Sequence, residues 1–187
     1  MKTIPYIFFI VLLTIIGFFA YYLDNKDRQQ NQAIKPIISK SKMKILSPAF
    51  QNNQQIPSKY TCDKANINPP LEFSDILQNA KSLVLIVDDP DAPSGTWTHW
   101  TLWNIPPTTT KIEEKSVPQE AVEGVTSFGK PGYGGPCPPS GTHHYFFKLY
   151  ALDTTISLDS KADVKQLVQT ISGHIIQEAQ LVGLYSR

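Results

Sequence analysis

The amino-acid sequence predicts a β-rich α+β domain, and three observations support this fold class. Fifteen prolines and ten glycines indicate many turns, and nine phenylalanines, eight tyrosines and three tryptophans favour short strands that pack through aromatic side chains. No internal repeat is visible from Met43 onward, which argues against solenoids and propellers. A chain of 187 residues is long enough for one substantial core and short for two domains.

The charge balance limits the class of partner. Seventeen basic and sixteen acidic residues give a formal net charge of +1. Nucleic-acid binding requires a clustered basic face, and this composition gives no sign of one. We therefore expect no nucleic acid among the partners.

Residues 1–42 differ in composition from the rest of the chain. After a short tail at residues 1–3, residues 4–23 carry no charge, and at about 1.5 Å per residue they span the roughly 30 Å core of a bilayer. This run is longer than the usual apolar core of a signal peptide, which favours an uncleaved transmembrane signal anchor over a removed signal. Residues 24–42 are rich in Gln, Asn, Lys and Ser and are interpreted as a polar linker.

This interpretation predicts a membrane-anchored protein whose folded domain comprises residues 43–187. The short tail resembles that of an export signal, so we expect the domain on the extracytoplasmic, periplasmic side. Two alternatives stay open. One is secretion after cleavage, and the other is a cytoplasm-facing domain, which the basic residues just after the span favour by simple counting.

Three apolar runs in the domain predict strands. Residues 82–88 are rich in β-branched residues and end at the turn-forming sequence DPDAPSG. Residues 96–105 end at a pair of prolines, and residues 143–152 form a third run. Side chains alternate along a strand, so His143 and Tyr145 share one face whereas the neighbouring His144 points to the other.

Near the carboxyl end, apolar residues recur at spacings of three and four. The pattern predicts a helix that is capped by Asp159 or Ser160 and stopped by Gly183, or two helices broken at Gly173. The periodic positions are Val164, Leu167, Val168, Ile171, Ile175, Ala179 and Val182.

Three segments combine polar side chains with turn residues: DPDAP at residues 89–93, WTHW at 97–100, and GPCPPSGTHHYFFKLYAL at 135–152. Each alone has a structural explanation, because Asp before Pro is a common turn device and a lone His on a strand is more often an ordinary packed residue. Together they resemble the two signature regions of the phosphatidylethanolamine-binding protein family, in its bacterial, Raf-kinase-inhibitor-like branch. The resemblance covers residues 43–187.

The resemblance implies an antiparallel β-sandwich with peripheral and C-terminal helices, and a small cavity near the sheet edge for phosphate-like or carboxylate anions, the class of a phospholipid headgroup. It implies no shared catalytic reaction and no cofactor or metal. Carried over by motif, the ligand-binding residues are Asp89, His99, Pro139, His143 and Tyr145. Candidates for the rim are Asp91, Trp97 and Cys137.

The residue types suit an anion site. Two imidazoles and a phenol offer hydrogen-bond donors, and a nearby carboxylate is expected to keep an imidazole protonated by raising its pKa. Asp89 is expected to orient and charge the histidines in this way. The predicted function is therefore non-enzymatic binding of a small anionic ligand, with modulation of an unidentified protein partner left open.

One alternative is a metal-dependent hydrolase. His99, His143 and Asp89 or Asp91 have the residue types of a site with two histidines and one carboxylate. No H-E-x-x-H spacing accompanies them.

Two further alternatives remain. Cys137 is a candidate nucleophile activated by His143, although Cys62 is a candidate disulfide partner for it in an oxidising compartment. The last alternative is a protein-interaction module in which the pocket is vestigial.

Overall fold

Nine strands, one α-helix and one 3₁₀ turn form residues 42–187, the part of the chain that the computed structural model describes. The helix, α1, spans Val164–Ile171, and the 3₁₀ turn spans Ser58–Tyr60. The strands are, in chain order, β1 (Lys44–Leu46), β2 (Gln54–Gln55), β3 (Leu71–Ser74), β4 (Ser82–Asp89), β5 (Trp97–Ile105), β6 (Lys111–Ile112), β7 (Val122–Glu123), β8 (Thr142–Leu152) and β9 (Ile175–Ser186).

The strands form two sheets. One has the order β1-β3-β6 and the other the order β2-β9-β8-β4-β5-β7, in which β2 joins β9 in parallel and the other pairs are antiparallel. Buried side chains of both sheets, among them Ile45, Phe73, Leu85 and Phe147, belong to one hydrophobic cluster. Two sheets with a single helix in the described residues confirm the β-rich α+β class, while the sandwich arrangement stays a prediction.

The central strand β4 explains the uninterrupted apolar run in its sequence. It lies between β5 and β8, and all eight of its residues are buried. A strand covered on both faces has no solvated side, so it shows no alternation of polar and apolar residues. Its last two residues, Asp88 and Asp89, are therefore buried carboxylates at the end of the strand.

Strand β8 follows the predicted alternation. Its buried positions at the start of the strand are His143, Tyr145 and Phe147, and His144 between them is exposed. The strand has one neighbour on each edge, β4 and β9, so its backbone is paired on both sides. The prediction that His143 and His144 point to opposite faces is confirmed.

The helix predicted near the carboxyl end is much shorter than expected. It begins at the N-cap Asp163, which exchanges hydrogen bonds with Gln166 in a capping box, and the predicted caps Asp159 and Ser160 lie before it. Soon after its last residue, Gly173 adopts φ +86°, a left-handed conformation that favours glycine. The prediction is thus correct for residues 164–171 and wrong beyond them.

Residues 175–186 form strand β9 rather than helix. β9 pairs with β8 along its length, from Ile175 opposite Leu152 to Ser186 opposite Thr142. Apolar spacing alone does not separate the two structures in this segment, and the open edge of β8 decides in favour of the strand, because its backbone groups need partners. The close approach of Gly183 to Ile56 fits the same packing, since a Cβ at Gly183 would collide with that side chain.

We correct the prediction that a membrane is a partner of this protein. Among residues 42–187 no helix is long and apolar enough to cross a membrane. The tail at residues 1–3, the anchor predicted at 4–23 and nearly all of the linker at 24–42 lie outside the described residues. The membrane-anchored, periplasmic location and its secreted and cytoplasm-facing alternatives are withdrawn with the anchor.

Deletion of residues 1–41 is expected to leave a folded protein, because the hydrophobic clusters and both sheets described above lie in residues 42–187. Denaturant unfolding followed by circular dichroism should show one cooperative transition for the shortened chain. Aggregation or a gradual loss of signal would place the domain boundary before residue 42.

Candidate ligand-binding site

The ends of three neighbouring strands meet at one edge of the larger sheet. β4 ends at Asp89, directly opposite Trp97 at the beginning of β5, and β8 begins beside them on the other edge of β4. The register between β4 and β5 shifts between Val87 and Asp88, a local irregularity of the kind that re-aims side chains. As a result Asp89, His99 and His143, from three different strands, reach the same place.

A cavity of about 350 Å³ opens at this edge. Its charged and ionisable lining consists of Asp89, His99 and His143. The rest of its wall is contributed by Ala92, Pro93, Ser94, Trp97, Phe128, Cys137, Pro138 and Pro139.

The structure brings most of the predicted residues together. Asp89, His99, Pro139 and His143 line the cavity, as do the rim candidates Trp97 and Cys137. Two predicted residues are placed differently. Tyr145 is fully buried behind the cavity, and Asp91 lies outside it.

The His143 imidazole is held by Asp89. Its Nδ1 lies 2.7 Å from Asp89 Oδ2, and both side chains are largely buried, with 10% and 4% of their surface exposed. Asp89 Oδ1 also accepts a hydrogen bond of 2.8 Å from the backbone N–H of Asp91. The carboxylate therefore orients the ring through Nδ1 and leaves Nε2 as the nitrogen available to a ligand.

The His99 imidazole is held by a carbonyl group instead. Its Nδ1 lies 2.6 Å from the oxygen of Gly134, and because a carbonyl only accepts, Nδ1 carries the proton. The backbone N–H of Gly134 in turn donates to the His99 carbonyl over 2.9 Å. This two-way pairing fixes the tautomer and leaves His99 Nε2 without a proton when the ring is neutral.

Burial lowers the pKa of His99 below its ordinary value, and the Gly134 carbonyl and the charges of Asp89 and Asp88 oppose this shift only in part. The prediction that a nearby carboxylate keeps this imidazole protonated is wrong for His99. Its neutral form is favoured, so Nε2 is a hydrogen-bond acceptor at neutral pH.

Tyr145 packs behind His99 and does not line the cavity itself. Its ring meets that of His99 edge to face, with 5.2 Å between centroids. Burial and then the charge of Asp89 raise the pKa of its phenol, so the hydroxyl keeps its proton. The hydroxyl lies near Asp89 and Cys137, yet it has no hydrogen-bond partner among residues 42–187.

Asp91 pairs with His144 on the outer side of the sheet. Its Oδ2 accepts hydrogen bonds from the His144 backbone N–H at 2.9 Å and from Nδ1 at 2.7 Å. These hydrogen bonds lower the pKa of the Asp91 carboxyl group. The prediction of Asp91 as a rim residue is therefore wrong, because His144 draws its side chain away from the cavity.

Sequence reasoning missed Phe128, which forms the outer wall. Its ring packs edge to face on Trp97 and on His99, each with 5.5 Å between centroids, and 42% of the side chain remains exposed. A Cβ at Gly134 would collide with the Phe128 ring, which is a reason for glycine at that position. In the sequence Phe128 is a single aromatic residue in a turn-rich segment, and that pattern is too common to predict a residue that lines a cavity.

A disulfide anchors the proline-rich wall. It joins Cys137 to Cys62, whose Cα atoms are 5.5 Å apart, and the Cys62 backbone N–H donates to the Pro136 carbonyl. Both cysteines of the chain are in this bond, so Cys137 has no thiol to act as the nucleophile considered above. The bond ties the segment before Pro138 and Pro139 to a distant part of the fold.

The metal-hydrolase alternative finds no group of ligands here. Among the described residues no three His, Cys, Asp or Glu side chains are placed to hold a metal ion. Asp89, His99 and His143 do share the cavity, but each histidine uses Nδ1 within the protein.

Comparison with known proteins decides the family. The family model for phosphatidylethanolamine-binding protein matches residues 46–186. The chain belongs to this family. The resemblance that the motifs indicated is thereby confirmed.

The relatives of this family member span archaea and bacteria. A UPF0098 protein of Pyrococcus horikoshii is 52% identical over 150 residues, which are 76% of each chain. A UPF0098 protein of Methanothermobacter thermautotrophicus is 49% identical over 150 residues, 78% of this chain and 99% of that one. Nearly all of the second relative thus corresponds to the folded domain.

Solved structures agree with the fold. A putative phosphatidylethanolamine-binding protein homologue of Chlamydia trachomatis has a TM-score of 0.75 and 42% identity, covering 78% of this chain and 98% of that one. YbcL of E. coli, described as a new member of the mammalian family, has a TM-score of 0.74 and 31% identity over 79% and 99% of the two chains.

Replacing both cysteines, Cys62→Ser with Cys137→Ser, is expected to lower the free energy of unfolding by about 2 to 4 kcal/mol, because the cross-link restricts the unfolded chain between residues 75 apart. Urea unfolding with and without reductant measures the change. Reductant should destabilise the parent protein and leave the double variant unaffected. Two titratable thiols in unreduced parent protein would contradict the assignment.

Proposed function

We propose that this protein is a non-enzymatic binding protein whose pocket takes the phosphate-like or carboxylate group of a small ligand, of the class of a phospholipid headgroup. The observation that carries the proposal is the convergence of Asp89, His99 and His143 on one cavity of about 350 Å³. Pockets of this size with a few polar groups among apolar walls are typical of small-ligand sites.

The lining supports an anion with an apolar neighbour. Pro138, Pro139 and Phe128 present carbon surface and no side-chain polar group, so the ligand is oriented by the few polar atoms at the base of the cavity. Asp89 and His143 both line the cavity, and Asp89 holds the His143 ring through Nδ1. As an imidazolium it would offer Nε2–H to an anion while Asp89 offsets its charge.

Binding rather than catalysis is favoured by how the reactive groups are engaged. Cys137 is in a disulfide, and no hydroxyl or thiol among residues 42–187 hydrogen-bonds to His99 or His143. A side-chain nucleophile that is activated by a histidine base makes such a hydrogen bond to it. Modulation of a protein partner belongs to the same proposal, and a partner bound equally well by pocket variants would favour the interaction-module alternative.

His143→Ala is expected to weaken binding of phosphoethanolamine about tenfold to a hundredfold, since it removes a charge-assisted donor worth roughly 1.5 to 3 kcal/mol. Calorimetric titration of the ligand into each protein gives the affinity.

The matched control for this variant is His144→Ala. That ring lies on the other face of β8 and holds Asp91, so its removal should leave the affinity nearly unchanged. Equal losses from both variants would contradict the proposed site, and so would the absence of binding by the parent protein.

A further inference from the structure

The polar atoms that line the cavity are not all donors. His99 donates its only Nδ1 proton to Gly134, so the neutral ring presents Nε2 to its surroundings as an acceptor. No other described residue hydrogen-bonds to that nitrogen. A ligand that approaches His99 therefore meets a lone pair.

Asp89 adds a second acceptor and a negative charge. Each of its oxygens already accepts one hydrogen bond, from His143 Nδ1 and from the Asp91 backbone, yet a carboxylate oxygen accepts two. No lysine or arginine of the described chain lines the cavity to balance this charge. A fully deprotonated anion would face Asp89 and His99 with nothing but lone pairs of its own.

His143 is the complementary group. With Nδ1–H donating to Asp89, Nε2 carries a proton only when the ring is an imidazolium, and in that form, which the proposed function assigns to it, His143 donates from Nε2 to a ligand oxygen. The cavity thus offers a donor on one strand and acceptors on two others, all within one small volume. A ligand that satisfies both kinds of group must carry an acceptor oxygen and an O–H donor on the same oxyanion group.

We propose that the cavity selects an oxyanion that still carries a proton, namely the monoanion of a phosphate monoester, over anions of similar size that carry none. The inference rests on the proposed function and narrows it. In this arrangement the phosphate P–OH donates to Asp89 or to His99 Nε2, and another phosphate oxygen accepts from His143. A sulfate ester or an ionised carboxylate has no proton to give, so it leaves buried acceptors unpaired.

The proton of the ligand makes binding depend on pH. A phosphate monoester loses its second proton near pH 6, so the fraction of monoanion falls as pH rises above about 6. The titratable groups around the cavity are Asp88 and Asp89 on β4, His99 on β5, and His143 and Tyr145 on β8, with the Asp91–His144 pair outside. Protonation of a histidine would also strengthen anion binding at low pH, but it would do so for phosphate and sulfate alike.

Two esters of the same alcohol separate these effects. Phosphoethanolamine and ethanolamine O-sulfate are titrated calorimetrically into the full-length protein between about pH 5 and pH 8. We expect the phosphate ester to bind at least about tenfold more tightly than the sulfate ester near pH 5, and this advantage to shrink as pH rises above about 6 and the monoanion is lost. Inorganic phosphate against inorganic sulfate should show the same preference, and the affinity ratio of phosphoethanolamine to inorganic phosphate tells whether a headgroup or phosphate alone is recognised.

The variant Asp89→Asn tests the acceptor directly. It removes the negative charge and supplies an amide N–H, so the preference for phosphate over sulfate should shrink or reverse. His144→Ala, outside the cavity, should keep the parent preference. Thermal unfolding of Asp89→Asn checks that the variant folds. If it does not fold, the comparison of the two esters on the parent protein still tests the inference.

The outcomes are distinct. Equal binding of the two esters by the parent protein, or preference for the sulfate ester, overturns the inference and leaves the proposed function in place. Binding of no oxyanion at all overturns both. Binding of both esters that strengthens equally as pH falls assigns the pH dependence to the histidines and overturns the inference.

Discussion

The register of β4 between β5 and β8 is the constraint on which the rest of the structure depends. Consecutive side chains of a strand point to opposite faces, so Asp88 and Asp89 leave β4 on opposite sides. On one side Asp88 lies 2.7 Å from Lys148, and on the other Asp89 lies 2.7 Å from His143, both on β8. A slip of one residue would exchange the two faces and leave both buried carboxylates without their partners.

The same pairings make the cavity a formed site in the protein alone. Buried polar groups are costly without partners, and the three ionisable side chains that line the cavity have them: Asp89 holds His143, and the Gly134 carbonyl holds His99. These contacts fix the orientation of both rings before any ligand arrives. Ligand binding therefore loses little conformational entropy at these side chains. Selectivity can then depend on which of their atoms donate hydrogen bonds and which accept them.

The sequence predicted the parts of the site that depend on local pattern. Period two placed His143 inward and His144 outward, and the motifs indicated Asp89 and His99. The sequence could not predict partners that only the fold brings close. His99 meets Gly134, 35 residues away in the chain, and burial there lowers the pKa of the imidazole although the Gly134 carbonyl opposes the shift. For the same reason Phe128 was missed, since its role comes from packing and not from its neighbours in the chain.

The predictions that failed share one cause. The local sequence limits which conformations and hydrogen bonds a segment can form, and contacts with other parts of the fold select among them. Residues 175–186 meet the apolar spacing of a helix, but the edge of β8 offers backbone partners along the whole segment, and strand pairing wins. The same explanation holds for Asp91. Its carboxylate, two residues from Asp89, accepts a hydrogen bond from His144, a partner that the local sequence does not reveal.

The two cavity histidines show why residue identity alone does not define an anion site. A carboxylate and a carbonyl both accept the Nδ1 proton, but only the carboxylate brings a full charge to the ring beside it. His143 faces the Asp89 carboxylate, whereas His99 faces the dipole of the Gly134 carbonyl in a more buried place, where burial lowers its pKa. In the proposed arrangement the His143 imidazolium donates and the neutral His99 ring accepts, so a ligand has to match one donor and one acceptor instead of two donors.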